Sequence, residues 1–174
     1  CRSSLFKQPM LVKENYPIGN SLQLKSEARY FIELSEETDF DELSLFLKKY
    51  KLPVLIIGEG TNLVPPLFFN GIILKPIFNS IVISSDKTLI SAGASVNWHS
   101  LVTFCIKNNI NGFENLSLIP GSVGASPIQN IGAYGADVSS LIESVDCYDF
   151  VLNKLTSLTA SECNFSYRSS GLKK

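Results

Sequence analysis

"PVLIIGEGTNLVPPLFF", residues 53–69, decides how this chain is read. The apolar run PVLIIG (53–58) ends in glycine, which predicts a strand buried on both faces. Upstream, ARYFIEL (28–34) is rich in strand formers. TDFDELSLFLKKY (38–50) sets Phe40, Leu43, Phe46 and Leu47 at helical spacing, with Thr38 or Asp39 as N-cap and Lys48 and Lys49 in the last turn. Strand, helix and strand of these lengths predict a βαβ unit. The loop after it, GEGTN (58–62), has the look of a phosphate loop, but its sequel excludes two familiar kinds. A GxxxxGK[ST] loop needs a lysine and a following helix. In GxGxxG the third glycine packs a helix on the sheet, whereas here Leu63 and Val64 lead into Pro65 and Pro66. Proline lacks an N–H and clashes inside a helix. An anion can still be held by successive backbone N–H groups in a turn. Gly58 and Gly60 permit positive φ and close backbone approach, and Thr61 and Asn62 add side-chain donors. The competing reading is a plain glycine turn between strands. Glu59 would repel a phosphate, so it is expected to point away or to bond backbone N–H groups.

Bulk properties exclude several function classes. The chain has 174 residues, 45% hydrophobic and 18% charged, and a net charge of -1. That is globular composition, for one domain or two small ones. No run of Lys or Arg marks a nucleic-acid groove or a membrane-surface patch. No apolar stretch approaches the ~18–20 residues of a membrane helix. The start, CRSSLFKQPM, has no signal-peptide core and no initiator Met, which reads as a fragment; a lipidated Cys1 is the minority reading. Cysteines stand at 1, 105, 147 and 163 with no CxxC pair, and there is one histidine, so no metal site is expected. Cys105, in an apolar helical stretch, reads as a buried thiol, and the protein as reduced and cytoplasmic.

Further along, GIILKP (71–76) is another short strand. IVISS (81–85) and TLISAG (88–93) predict a hairpin turning at Asp86-Lys87. NWHSLVTFCIKNN (97–109) predicts a helix capped by Asn97, with Leu101, Val102, Cys105 and Ile106 on one face. Trp98 and His99 read as structural. LIESVDCYDF (141–150) and KLTSL (154–158) predict another strand pair, and the tail from Thr159 starts a short helix at most. IPGSVGASPIQNIGAYG (119–135) is the second unusual stretch. Gly121, Gly124, Gly132 and Gly135 lie among Ser122, Ala125, Ser126 and Ala133, so backbone can lie against a flat ligand, with Gln129 and Asn130 free to bond a heteroaromatic edge. A loop this long without regular structure is uncommon unless functional. Two glycine-rich backbone surfaces suggest one extended ligand, a pyrophosphate at one end and a ring system at the other.

These residues carry a resemblance. GEGTN (58–62), GASVNWHSLV (93–102), GFENLSLIPGSVGASPIQNIGAYG (112–135) and ECNFSYRSS (162–170) resemble, in order, the N-terminal half of the UDP-N-acetylenolpyruvoylglucosamine reductase family. SPIQNIGAYG is similar to its enterobacterial subtype. The resemblance covers about residues 15–170. It implies an α+β protein with the FAD-binding fold of the vanillyl-alcohol oxidase (PCMH-type) group, built of two α/β subdomains without a Rossmann domain. The implied division is an extension at 1–14, a first subdomain at 15–76 and an incomplete second at 77–174, with the substrate-binding C-terminal domain absent.

The implied activity is reduction of UDP-N-acetylglucosamine enolpyruvate to UDP-N-acetylmuramate with NADPH through FAD, in peptidoglycan synthesis, by a monomer. By motif match, Gly58, Glu59, Gly60, Thr61 and Asn62 would cradle the pyrophosphate. Ile119, Pro120, Gly121, Ser122, Val123, Gly124, Ala125, Ser126, Ile128 and Gln129 would line the rest of the cofactor. Tyr134 and Tyr167 would neighbour the substrate, and Arg168 would be catalytic. The family's proton-donating Ser and second catalytic Glu would lie beyond Lys174, so 1–174 alone is expected not to complete the reduction. LVPPLFFNG (63–71) lacks the acidic residue expected before Phe68 and Phe69. Two alternatives stand beside this: a non-catalytic flavin-binding remnant, and another FAD oxidoreductase of the same fold. Members that attach FAD covalently through His or Cys find neither in GEGTN.

Overall fold

The computed structural model describes residues 10–35 and 39–173. The expectations for Cys1 and for Thr38 as a cap fall outside that range. A mixed four-stranded sheet comes first, in the order β1-β2-β4-β3. Its strands are β1 (Val12–Pro17), β2 (Glu27–Leu34), β3 (Val54–Ile56) and β4 (Phe68–Pro76), with helix α1 (Asp39–Tyr50) between β2 and β3. β1 runs antiparallel to β2, and β4 lies parallel to both β2 and β3. The expected βαβ unit is present, but β4 is inserted between its two strands.

This placement corrects one expectation. The residues buried on both faces are Ile72, Ile73 and Leu74 of β4, all 0% exposed. β3 is the edge strand, and by the two-residue period of a strand Val54 and Ile56 face outward while Leu55 and Ile57 pack inward. A continuous apolar run marks a central strand, and that position belongs to GIILKP, not to PVLIIG. On the other edge, VKENYP in β1 has no apolar alternation and was not foreseen; it joins the sheet through backbone pairing with β2.

The sheet has a core on each face. Ile72 and Leu74 join Tyr30, Ile32 and Leu34 under Leu43 of α1, with Phe40, Phe46 and Leu47 around them, as the helical spacing predicted. Ile73 joins Ile18, Ala28, Phe31 and Ile57 on the opposite face. Asp39 lies in the first turn of α1 and accepts a hydrogen bond from the Ser35 N–H at 3.0 Å.

The second part carries three two-stranded pieces and one helix. β5 (Ile81–Ile83) and β6 (Ile90–Ala92) form the predicted hairpin, and β9 (Ser144–Asp149) and β10 (Lys154–Thr159) the predicted pair. β7 (Gly132–Ala133) and β8 (Ala136–Asp137) form a small third hairpin. Helix α2 (Trp98–Lys107) buries Trp98, Leu101, Val102 and Cys105 against Val96, Leu116 and Val138. Ile106 is 50% exposed, off the buried face expected for it. Burial pushes the Cys105 thiol up from its ordinary pKa, so it stays protonated. The tail forms turns and a 3-10 segment rather than an α-helix. Phe40 of α1 stacks on Tyr148 of β9 with ring centroids 4.2 Å apart, which ties β9 to the first sheet.

Truncation should report this layout. Leu74→Ala removes a side chain with no exposed surface and is expected to cost about 2–5 kcal/mol in urea denaturation. Leu45→Ala, at a position 69% exposed on α1, should stay within about 0.5 kcal/mol of the starting protein.

Candidate functional site

The two glycine-rich stretches, sixty residues apart in sequence, meet. A Cβ on Gly58 would fall on Ser122 Oγ, and one on Gly60 would overlap the carbonyl of Gly19. A Cβ on Gly121 would lie 3.5 Å from Thr61 Oγ1. Gly60 and Gly121 have φ of +67° and +126°, so conformation favours glycine at both, and at Gly60 space requires it as well. After Asn62 the chain runs without helix into β4.

A third segment completes the contact. Residues 94–98 lie beside 121–124 as an irregular ladder. Val123 N–H donates to Val96 O at 2.8 Å, Gly124 N–H to Ala94 O at 2.9 Å, and Trp98 N–H to Gly121 O at 2.9 Å. The Trp98 indole N–H donates to Leu116 O at 2.7 Å, which explains its burial. Asn97 serves two elements with one side chain. Its Oδ1 accepts from the Ser100 N–H at 3.0 Å and caps α2, as predicted. Its Nδ2 donates to Glu59 Oε1 at 2.9 Å. Glu59 therefore bonds a side-chain amide rather than backbone N–H groups. His99 is exposed and accepts from the Leu118 N–H at 3.3 Å.

A fourth segment was missed. The loop between β1 and β2 lies against the glycine loop: Ser21 N–H donates to Gly60 O at 3.1 Å, and Ser21 Oγ to Thr61 O at 3.3 Å. Its signal was the turn dipeptide Gly19-Asn20, too common to single out. The Asn20 amide closes the loop on Ile18 O and Leu24 O.

Chemically, the junction offers donors. Among the described residues, the backbone N–H groups of Glu59, Gly60, Thr61 and Asn62, and of Gly121 and Ser122, donate to no protein acceptor. Buried backbone donors are nearly always paired, so Gly60, Gly121 and Ser122, all buried, leave donor capacity suited to an oxyanion. Of the other expected lining residues, Ile119, Val123, Gly124, Ile128 and Gln129 are half-buried, Pro120 and Ala125 exposed, and Ser126 buried. The Ser126 hydroxyl donates to Val123 O at 2.8 Å and holds a 3-10 turn together. Asn130 is not available to a ligand: it is 4% exposed and both ends of its amide are bonded to protein.

Tyr134, Tyr167 and Arg168 sit on two tight turns. Tyr134-Gly135 link β7 to β8 with φ of 53° and 79°, the signature of a type I′ hairpin turn, where asparagine-glycine is the usual pair. Tyr167-Arg168 form the tip of a turn closed by reciprocal bonds between Ser166 and Ser169, 3.0 and 3.1 Å. Arg168 has φ of 49°, a position normally given to glycine or asparagine. Both tyrosines are 89% exposed. Positive φ at side chains of this size costs free energy, and such strain concentrates at functional sites. Among the described residues no cluster of His, Cys, Asp and Glu could hold a metal. A shallow groove along α2, lined by Ile81, His99, Ser100, Thr103, Phe104 and Lys107, contains no expected cofactor or substrate residue.

With this geometry in place, the comparisons assign a class. Residues 28–156 match the model of the FAD binding domain, and the chain belongs to that family. Its particular relatives are narrower. The chain is 37% identical over 158 residues to the UDP-N-acetylenolpyruvoylglucosamine reductase of Xylella fastidiosa, covering 89% of this chain and 45% of that protein. It thus spans about half the length of the curated relatives it matches. The solved UDP-N-acetylenolpyruvylglucosamine reductase of Thermus caldophilus superposes with a TM-score of 0.69 at 19% identity, over 92% of this chain and 57% of that one. A VAO-type flavoprotein of Myceliophthora thermophila gives 0.58 at 17% identity, over 83% and 31%. The fold is the α+β FAD-binding fold of the vanillyl-alcohol oxidase group.

Two measurements probe the geometry. Gly60→Ala should destabilise by more than about 1 kcal/mol, since it adds a backbone overlap to positive-φ strain. Gly135→Ala, also at positive φ but with open space around it, should cost less in the same denaturation experiment. Glu162 Oε2 accepts from Thr159 N–H and Oγ1 at 2.9 and 2.7 Å, and the backbone bond leads in holding its carboxyl below the usual range. A depressed carboxylate stabilises above its unfolded pKa and loses that contribution as pH falls through the folded value. Thr159 amide protection should therefore persist as pH falls through the ordinary glutamate range and decline only below it, and Glu162→Gln should abolish that step.

Proposed function

We propose that this chain is the FAD-holding part of a UDP-N-acetylenolpyruvoylglucosamine reductase, which reduces UDP-N-acetylglucosamine enolpyruvate with NADPH in peptidoglycan synthesis. The meeting of the 58–62 and 119–126 backbones, with unpaired N–H groups and no room for a Cβ, carries the reading, and the 37% identity to the Xylella fastidiosa reductase supports it. The residues fit the group. Gly58 to Asn62 hold the pyrophosphate through backbone N–H groups, a nest that needs no helix dipole. Ile119 to Ser126, with Ile128 and Gln129, line the remainder of the cofactor. Two subdomains, divided near Pro76, contribute one glycine surface each. The protein acts as a cytoplasmic monomer.

When bound, FAD supplies hydride to the enolpyruvyl carbon. The chain's own residues position and stabilise. Reduction builds negative charge beside the substrate carboxylate, and the Arg168 guanidinium can hold that group by two parallel hydrogen bonds. The turn presents Arg168 to solvent, and its guanidinium charge would stabilise negative charge as it develops on the substrate. Tyr134 and Tyr167 present exposed rings to the nucleotide-sugar.

The cofactor reading is tested by titrating FAD with the purified chain. Flavin fluorescence should be quenched on binding, and Gly121→Val, which replaces a positive-φ glycine at the junction, should abolish quenching while the fold persists. A folded chain that leaves micromolar FAD fluorescence unchanged would sink the reading. For the reaction, Arg168→Gln should lower kcat about 10²–10³-fold in the protein that supports turnover, as loss of a transition-state donor does.

A further inference from the structure

We propose that Asn130 is the positioning residue for Arg168, a step that rests on the reading of Arg168 as the group facing the substrate carboxylate. Among the described residues the Arg168 guanidinium has no hydrogen bond or ion pair. Nothing at the end of the side chain fixes it, so the turn that sets where the side chain begins is its one constraint among the described residues. That turn is anchored from the glycine-rich stretch. Asn130 Nδ2 donates to Ser166 O at 3.1 Å, and Ser170 Oγ donates to Ile128 O at 3.0 Å. The two anchors flank Tyr167-Arg168 on either side.

Asn130 is built for the task. It is 4% exposed and stands at φ 45°, where asparagine is tolerated. Its Oδ1 accepts from the Ser139 N–H at 3.1 Å, which fixes the amide so that Nδ2 points to Ser166. One side chain thus joins three segments: the cofactor-lining stretch, the turn after β8 and the Arg168 turn. Ser166 O takes both the Asn130 amide and the Ser169 N–H at 3.1 Å, so the carbonyl that closes the turn is also the one that moors it. Bidentate carboxylate recognition tolerates roughly 0.5 Å of error, and misplacement by about 1 Å costs on the order of 10²-fold in rate.

Asn130→Asp separates this role from packing. The introduced carboxylate still accepts from the Ser139 N–H but cannot donate to Ser166 O. Once protonated, it can do both, so acid should rescue the anchor. The charged groups at this junction are Asp137, whose carboxylate also accepts from Ser139, and Arg168 on the moored turn; residues 119–136 carry none. Asn130→Gly keeps the backbone conformation and deletes the anchor at every pH.

The test is amide exchange of the chain with residue resolution, together with the flavin difference spectrum produced by UDP-N-acetylglucosamine enolpyruvate on the FAD-loaded protein that supports turnover. At pH 7, Asn130→Asp should raise exchange at Ser166 and Ser169 at least tenfold, with β2 and β4 amides unchanged. The nucleotide concentration for half-saturation should rise about tenfold, with FAD affinity unchanged. Both effects should reverse towards acid pH in Asn130→Asp and persist in Asn130→Gly. Unchanged exchange at Ser166 and Ser169, or no acid rescue, overturns the proposal. If Asn130→Gly does not fold, the two pH conditions of Asn130→Asp decide alone. A chain that binds no FAD, or a turnover-competent protein that shows no difference spectrum before substitution, fails the functional reading instead, and the exchange data still decide the anchor.

Discussion

Everything around the candidate site depends on one close backbone approach. The 58–62 loop and the 119–125 stretch touch where Gly58 leaves no room for a side-chain carbon against Ser122, and Gly60 leaves none against Gly19 of the loop between β1 and β2. That contact is made once each partner is held from behind. The glycine loop is set by β3 and by Ser21, and the second stretch by its ladder to residues 94–98. The free donors then belong to the contact rather than to either loop. A pyrophosphate binding there would meet N–H groups from two parts of the chain, with no helix terminus needed to supply the field.

The sequence showed the parts of this arrangement better than their assembly. Glycine density, the two prolines after Val64 and the absence of lysine excluded helix-supported loops, and the structure has none there. The α1 and α2 stripes were legible because period 3.6 survives any neighbourhood. β3 was misread because a short apolar run records burial of some residues, not which strand is central; only the three-dimensional order puts Ile72–Leu74 in the middle. β1 was invisible because its stabilisation comes from pairing with β2, and pairing leaves little trace in side-chain type.

At the site, side-chain roles were harder to read than backbone roles. Asn130 looked like a ligand contact because it follows Gln129 in a polar pair, and its commitment to Ser166 and Ser139 depends on residues nine and thirty-six positions away. Glu59 looked like a liability beside a phosphate. Its carboxylate is instead taken by Asn97, whose other end starts α2. The charge that seemed misplaced ties the loop to the helix, and the same amide orients both.

The open edge of the first sheet has a consequence for handling the molecule. Among the described residues β3 pairs on one side only, and Val54 and Ile56 stand 41% and 59% exposed along it. It has neither a charge nor a proline between Val54 and Gly58 to deter another strand, and natural edges commonly carry one or the other. At high concentration this strand is a template for intermolecular β-pairing at one rim of the sheet.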